Sequence, residues 1–172
     1  MSTSISPAPA QPPAGRPYLP ADYGVPASAE GTLPWSFVEE RMAAARNYWI
    51  VTVRPDGHPH AVPVWGVWLD NALYIEGSPQ TRRSRNLAVN PAVVVHLESG
   101  DQVVILEGEA HPVGRPDPAL GARLSAIFCA KYAWANYQPG PDAWDQGGLH
   151  VIRPHTVFAW SKFPADATRW RL

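Results

Sequence analysis

The chain has one cysteine, Cys129, in 172 residues. A single thiol excludes an internal disulfide and any zinc site built on paired cysteines, and it agrees with a reducing, cytoplasmic setting. Net charge is also nearly absent: 14 cationic against 15 acidic side chains leave −1. No global field draws such a protein to nucleic acid or to an anionic membrane, and neither partner is expected. No apolar run approaches the ~20 residues of a membrane span. The first residues lack the basic start and apolar stretch of a secretory signal. No glycine-rich dinucleotide fingerprint or phosphate loop occurs, and no serine sits in a GxSxG turn, so an acyl-transfer nucleophile has no support. His58 and His60 share a strand face without a third ligand at supporting spacing, so no metal site is expected. His96 reads as a core residue of an apolar strand. Cys129, among Ile127, Phe128 and Ala130, reads as a buried, inert thiol.

What is present points to a β-rich fold. Residues 1–34 hold eight of the 20 prolines and show no periodicity, which predicts a mostly disordered arm lying near Pro34-Trp35. Residues 35–172 form the predicted domain. Trp35–Arg46 has helical spacing. Tyr48–Val53 is β-branched and aromatic, and Arg54-Pro55-Asp56-Gly57 is a turn in which proline sets the first corner and glycine closes it. His58–Leu69 reads as one long strand whose prolines suggest an edge or a bulge. Asp70-Asn71 makes a tight hairpin to Ala72–Glu76. A short helix from near Thr81 to Asn90-Pro91 follows, then a hairpin of Ala92–Leu97 and Gln102–Ala110. Pro118–Trp134 carries Leu120, Leu124, Ile127, Phe128 and Tyr132 on one stripe. Pro139–Gly148 is a loop bearing Trp144. Leu149–Arg153 and Thr156–Trp160 read as two strands separated by Pro154. Short antiparallel strands with two or three flanking helices predict a small closed or split β-barrel.

One stretch, YIEGSPQTRRSRNLAVNP at 74–91, carries chemistry. Arg82, Arg83 and Arg85 fall within four residues where a helix begins beside the Thr81 hydroxyl. Guanidinium forks beside backbone N–H groups suit a phosphate, although a solvated basic face has the same composition. No acid, base or nucleophile accompanies the cluster, so no catalytic side chain is named. A phosphate site without one suits a cofactor that carries its own chemistry. Trp65, Trp68, Trp144 and Trp170 could each stack on a flat ring or belong to the barrel core.

From about Trp35 to Leu172 the order of these segments resembles the flavin-binding split-barrel superfamily, the relatives of pyridoxamine 5′-phosphate oxidase. VTVRPDGHPHAVPVW, TRRSRNLAVNP, DQVVILEGEA and the Arg169-Trp170-Arg171 end carry the likeness. The resemblance implies an FMN-binding-type split β-barrel, mainly β with flanking helices. It assigns the cofactor phosphate to Thr81, Arg82 and Arg83, which Arg85 of the same cluster joins as a cofactor-binding candidate, and the strand edging the ring to Val62, Pro63, Val64 and Trp65. Gly77 and Ser78 take the adjoining turn, Gln102 a polar contact and Trp170 a C-terminal aromatic near the cofactor. Val62 and Val67 stand where the oxidase carries an arginine and a substrate-phosphate lysine, so oxidation of vitamin B6 is not expected and Val67, between Gly66 and Trp68, implies an apolar substrate wall. PVWGVWLDNALY with RNLAVNP is closer to reductases that use the deazaflavin coenzyme F420. The implied protein is a homodimer that binds F420 or FMN at the subunit interface and transfers a hydride with a small unsaturated molecule. The alternatives are an FMN oxidase or reductase, and a non-catalytic flavin or haem binder with His96 or His150 as axial ligand.

Overall fold

A computed structural model describes residues 11–172; the first ten residues of the sequence-predicted arm lie outside the described residues. Nine strands and three α-helices follow in the order β1 (Ala14–Gly15), α1 (Ser36–Ala44), β2 (Tyr48–Val53), β3 (Pro59–Val64), β4 (Gly66–Leu69), β5 (Ala72–Glu76), α2 (Arg82–Leu87), β6 (Ala92–His96), β7 (Val103–Pro112), α3 (Pro118–Tyr132), β8 (Leu149–Trp160) and β9 (Thr168–Arg171). All pairing is antiparallel. β2 pairs β3, β3 continues into β4, β4 pairs β5, β5 pairs β8, β8 pairs β7, β7 pairs β6, and β6 returns to β2. The circuit closes a split β-barrel. β9 pairs the second half of β8, and β1 extends β9.

Local chemistry sets these elements. Asp70 and Asn71 take positive φ of 52° and 58°, the two-residue turn that matches strand twist. Asp117 caps α3 by accepting from the Leu120 N–H at 2.9 Å, with Pro118 at the first helical position. Two apolar layers result. Tyr48, Ile50, Leu73, Ile75, Val95, Leu106 and Val157 fill the barrel beneath Phe37, Val38 and Met42 of α1. On the outside of β4, β5 and β8, Val67, Tyr74 and Val151 pack against Leu124, Phe128 and Tyr132 of α3. β5 is therefore buried on both faces, which explains its unbroken apolar run.

Three features depart from expectation. The strand expected over 58–69 breaks at Trp65 into β3 and β4. The two strands expected around Pro154 are one, because Pro154 lies opposite Gly108 where the β7–β8 register shifts and a missing N–H costs no ladder bond. Residues 11–34, read from composition as part of a disordered arm, run against the barrel. Arg16 donates to the carbonyls of Ser28, Ala165 and Ala167 at 2.8, 2.9 and 3.1 Å and to that of Glu30.

The pairing of β3 is also specific. Arg54 N–H donates to the His58 carbonyl, so hydrogen-bonded pairs continue at Thr52/His60, Ile50/Val62 and Tyr48/Val64. Pro59, Ala61 and Pro63 occupy the alternate positions, with their backbone nitrogens facing away from β2. β3 has no second partner strand among the described residues.

Candidate functional site

β5 ends at Glu76, and Gly77-Ser78-Pro79 turns the chain into α2. Thr81 caps α2 by accepting from the Ser84 N–H at 3.2 Å. The hydroxyls of Thr81 and Ser84 both donate to the Ser78 carbonyl at 3.0 Å. This knot fixes where the arginines start. Arg83 turns inward and is 7% exposed; it donates to the Glu76 carbonyl at 2.9 Å. Its Nε–H is buried with no partner, and burial holds the guanidinium below its usual pKa. Gly77 lies directly over that guanidinium, so a Cβ at this position would collide with Arg83 Nη2. Arg82 and Arg85 are exposed. At the far end of α2, Asn86 is fully buried and donates to Thr52 Oγ1 of β2 at 2.9 Å, which pins the helix to the barrel.

Two adjoining pockets open here. One, of about 310 Å³, is lined by Gly77, Ser84, Arg85, Leu87, Gly148 and His150 among others. The other, of about 440 Å³, shares Gly77, Pro79 and Gly148 and adds Glu76, Tyr137 and Trp144. Burial, aided by the neighbouring Arg83 charge, lowers the His150 pKa and favours neutral imidazole.

A family model described as pyridoxamine 5′-phosphate oxidase matches residues 37–161. The chain belongs to that family. The pyridoxamine 5′-phosphate oxidase family thus accounts for the barrel and for the sequence likeness. No curated protein matches the chain. Among solved structures, general stress protein 26 of Bacillus anthracis str. Sterne is similar at 21% identity and TM-score 0.61, over 80% of this chain and 97% of that one. An F420 reductase is similar at 22% identity and TM-score 0.51, over 69% and 94%. A heme binding protein of Mycobacterium smegmatis is similar at 22% identity and TM-score 0.59, over 79% of this chain and 58% of that one. At these identities the likeness is one of fold.

Within this oxidase-family barrel the expected site residues do not all meet. Gly77, Ser78, Thr81, Arg83 and Arg85 gather around the α2 cleft. Val62, Pro63 and Val64 lie on β3, outside both pockets. Trp65 stacks on Tyr132 with centroids 4.7 Å apart and planes 14° from parallel. Gln102 is exposed and accepts from Arg41 of α1. Trp170 is 1% exposed and packs edge-to-face on Trp35 at 5.5 Å; within the chain it is core, with no ring edge open to a ligand. Val67 is fully buried against α3, so the apolar substrate wall expected from it is absent. Trp68 packs against the barrel core. His96 stacks on Trp49, and half-buried Cys129 faces the Pro139 carbonyl at 3.6 Å. No group of three metal-ligating side chains occurs among the described residues, and none of their helices is long and apolar enough to cross a membrane.

Sequence reasoning missed Glu76 and Tyr137, and named His150 only as a possible haem ligand. Trp144, weighed both as core and as a ring-stacking residue, is 3% exposed, packs on Phe128 at 5.5 Å, and still lines the larger pocket. The signal for Glu76 was its place, directly before the Gly-Ser-Pro turn, at the end of a strand otherwise buried throughout.

Proposed function

We propose that the protein is a cytoplasmic oxidoreductase that binds coenzyme F420 or FMN and works with a small unsaturated substrate. The observation that carries this is the buried, unpartnered Arg83 Nε–H beneath Gly77, beside the Ser84 and Arg85 wall of the smaller pocket. A buried donor without an acceptor is costly, and an anionic oxygen at the turn would relieve it. The residues therefore fit a cofactor phosphate: Thr81, Ser84 and Arg83 would hold it, Arg85 and Arg82 would add charge from solvent, and Gly77 would allow close approach. The cofactor would supply the hydride chemistry. The chain's own part is to bind, to orient and to neutralise charge. No side chain in the cleft combines the reach and pairing of a nucleophile–base couple, which agrees with that division of labour.

The exposed Arg85 tests this better than Arg83, whose bond to the Glu76 carbonyl ties α2 to β5. Arg85→Ala should keep the melting temperature and weaken binding of F420, FMN or both by about tenfold or more, since a charge-assisted hydrogen bond is worth roughly 1.5–3 kcal/mol. Absorbance titration of each cofactor reads the effect. Failure of the wild-type protein to bind either one would sink the proposal. A spectrum with haem bands instead would favour the haem-binding reading, for which His150, facing the cleft, is the ligand to test.

A further inference from the structure

The larger pocket holds a carboxylate that nothing neutralises. Glu76 Oε2 accepts from Trp144 Nε1–H at 2.8 Å. Burial, and then the adjacent Glu76 carboxylate, push the Tyr137 hydroxyl pKa far up, so the phenol stays protonated beside it. No lysine, arginine or histidine forms an ion pair with Glu76 among the described residues. Arg83 donates through Nη2 to the Glu76 backbone carbonyl and not to its carboxylate. Two aromatic rings, Trp144 and Tyr137, stand with this carboxylate in the pocket lining, and the glycine backbones of 77, 147 and 148 leave the rest of the wall low.

A half-buried anion without a countercharge is costly to desolvate, and the cost falls when a ligand brings positive charge or an N–H donor. Aromatic faces favour the same ligand, because their quadrupoles attract cations and their planes accept flat rings. We propose that this pocket is a binding subsite for a flat, nitrogen-containing ring that is cationic or donates N–H groups, with Glu76 as the residue that determines its specificity. The subsite discriminates against carboxylates and other anions. It deepens the proposed function by naming the substrate class beside the cofactor cleft, and rests on that reading only for the word substrate. The two pockets then form one cleft of opposite polarity, cationic at Arg85, with Arg83 buried behind it, and anionic at Glu76.

Three probes of one ring size and different charge test it: the N-methylnicotinamide cation, nicotinamide and nicotinate, each titrated calorimetrically into the full chain. The cation should bind best and nicotinate worst, with about tenfold or more between them. Glu76→Gln keeps an amide oxygen for the Trp144 N–H and removes the charge, so the order should collapse to near equality. Equal binding of cation and anion by the wild type would overturn the proposal. So would a preference that survives in a folded Glu76→Gln protein, or no binding of any probe at millimolar concentration. The wild-type ordering decides the matter even if the variant does not fold. Cofactor absorbance is measured separately: loss of F420 and FMN binding with charge selection intact would sink the cofactor reading alone.

Discussion

At the scale of single residues, the chain places charge where burial makes it costly and surrounds it with backbone oxygen. Lys131 of α3 is half-buried; its ammonium donates to the Tyr48 hydroxyl at 2.6 Å and the Gly66 carbonyl at 3.1 Å. Among the described residues no carboxylate pairs with it, and burial pulls its pKa down from 10.5 to about 8. Between those two values the unfolded chain binds a proton that the folded chain has released. Stability from this residue is therefore full above the unfolded value of 10.5 and is lost as pH falls toward the folded value of about 8. Tyr48 still donates to the Met42 carbonyl and Gly66 still accepts from Tyr132 without the lysine. Lys131→Met should accordingly raise the melting temperature at pH 7, and the gap between variant and wild type should close as pH rises through that window. Thermal melts across the range check it; a constant gap would show that the ammonium is fully compensated. Nothing in the sequence around Lys131 signals this, because the burial comes from β2 and β4, far away along the chain.

At the scale of elements, legibility follows how locally each one is determined. β2 and β5 carry their β-branched and aromatic runs between strong turn signals, and their expected and observed bounds coincide. α2 could be read from its Thr81 cap. β8 could not, since Pro154 ends a strand in any local reading; it is tolerated because β8 bulges at His155, where the register against β7 shifts between Glu107 and Gly108. Gly108 makes this possible: a Cβ there would run into the Arg153 carbonyl. Gly108→Ala should therefore destabilise the fold by about 1–3 kcal/mol, the usual cost of overpacking, read as a lower denaturant midpoint. A midpoint within error of wild type would mean that β8 can slide away from β7 at no cost. β9 was missed because four residues with polar alternation gain their place from distant partners, β8, β1 and the Trp35–Trp170 contact. Of the site, the arginine cluster was visible, whereas Glu76 and Tyr137 meet only through tertiary folding.

At the scale of the whole molecule, the outward faces of four adjacent strands carry a row of apolar side chains, interrupted by Glu107. Trp49 and Val51 on β2, Val94 on β6, Ile105 on β7 and Phe158 and Trp160 on β8 are all partly exposed. A row of this kind marks an interface, and a C2 homodimer is the expected assembly. Light scattering at micromolar concentration should give twice the chain mass of 18.8 kDa; a single chain's mass would leave the face to another partner. Against that sticky face stands the uncovered side of β3. Of the three backbone nitrogens turned outward there, those of Pro59 and Pro63 have no hydrogen to give, and only Ala61 can donate. An incoming strand would find acceptors without matching donors, so the ladder cannot propagate past β3. Growth into fibrils by edge-to-edge templating is thus disfavoured along β3, and association is steered toward faces, where it can close on itself.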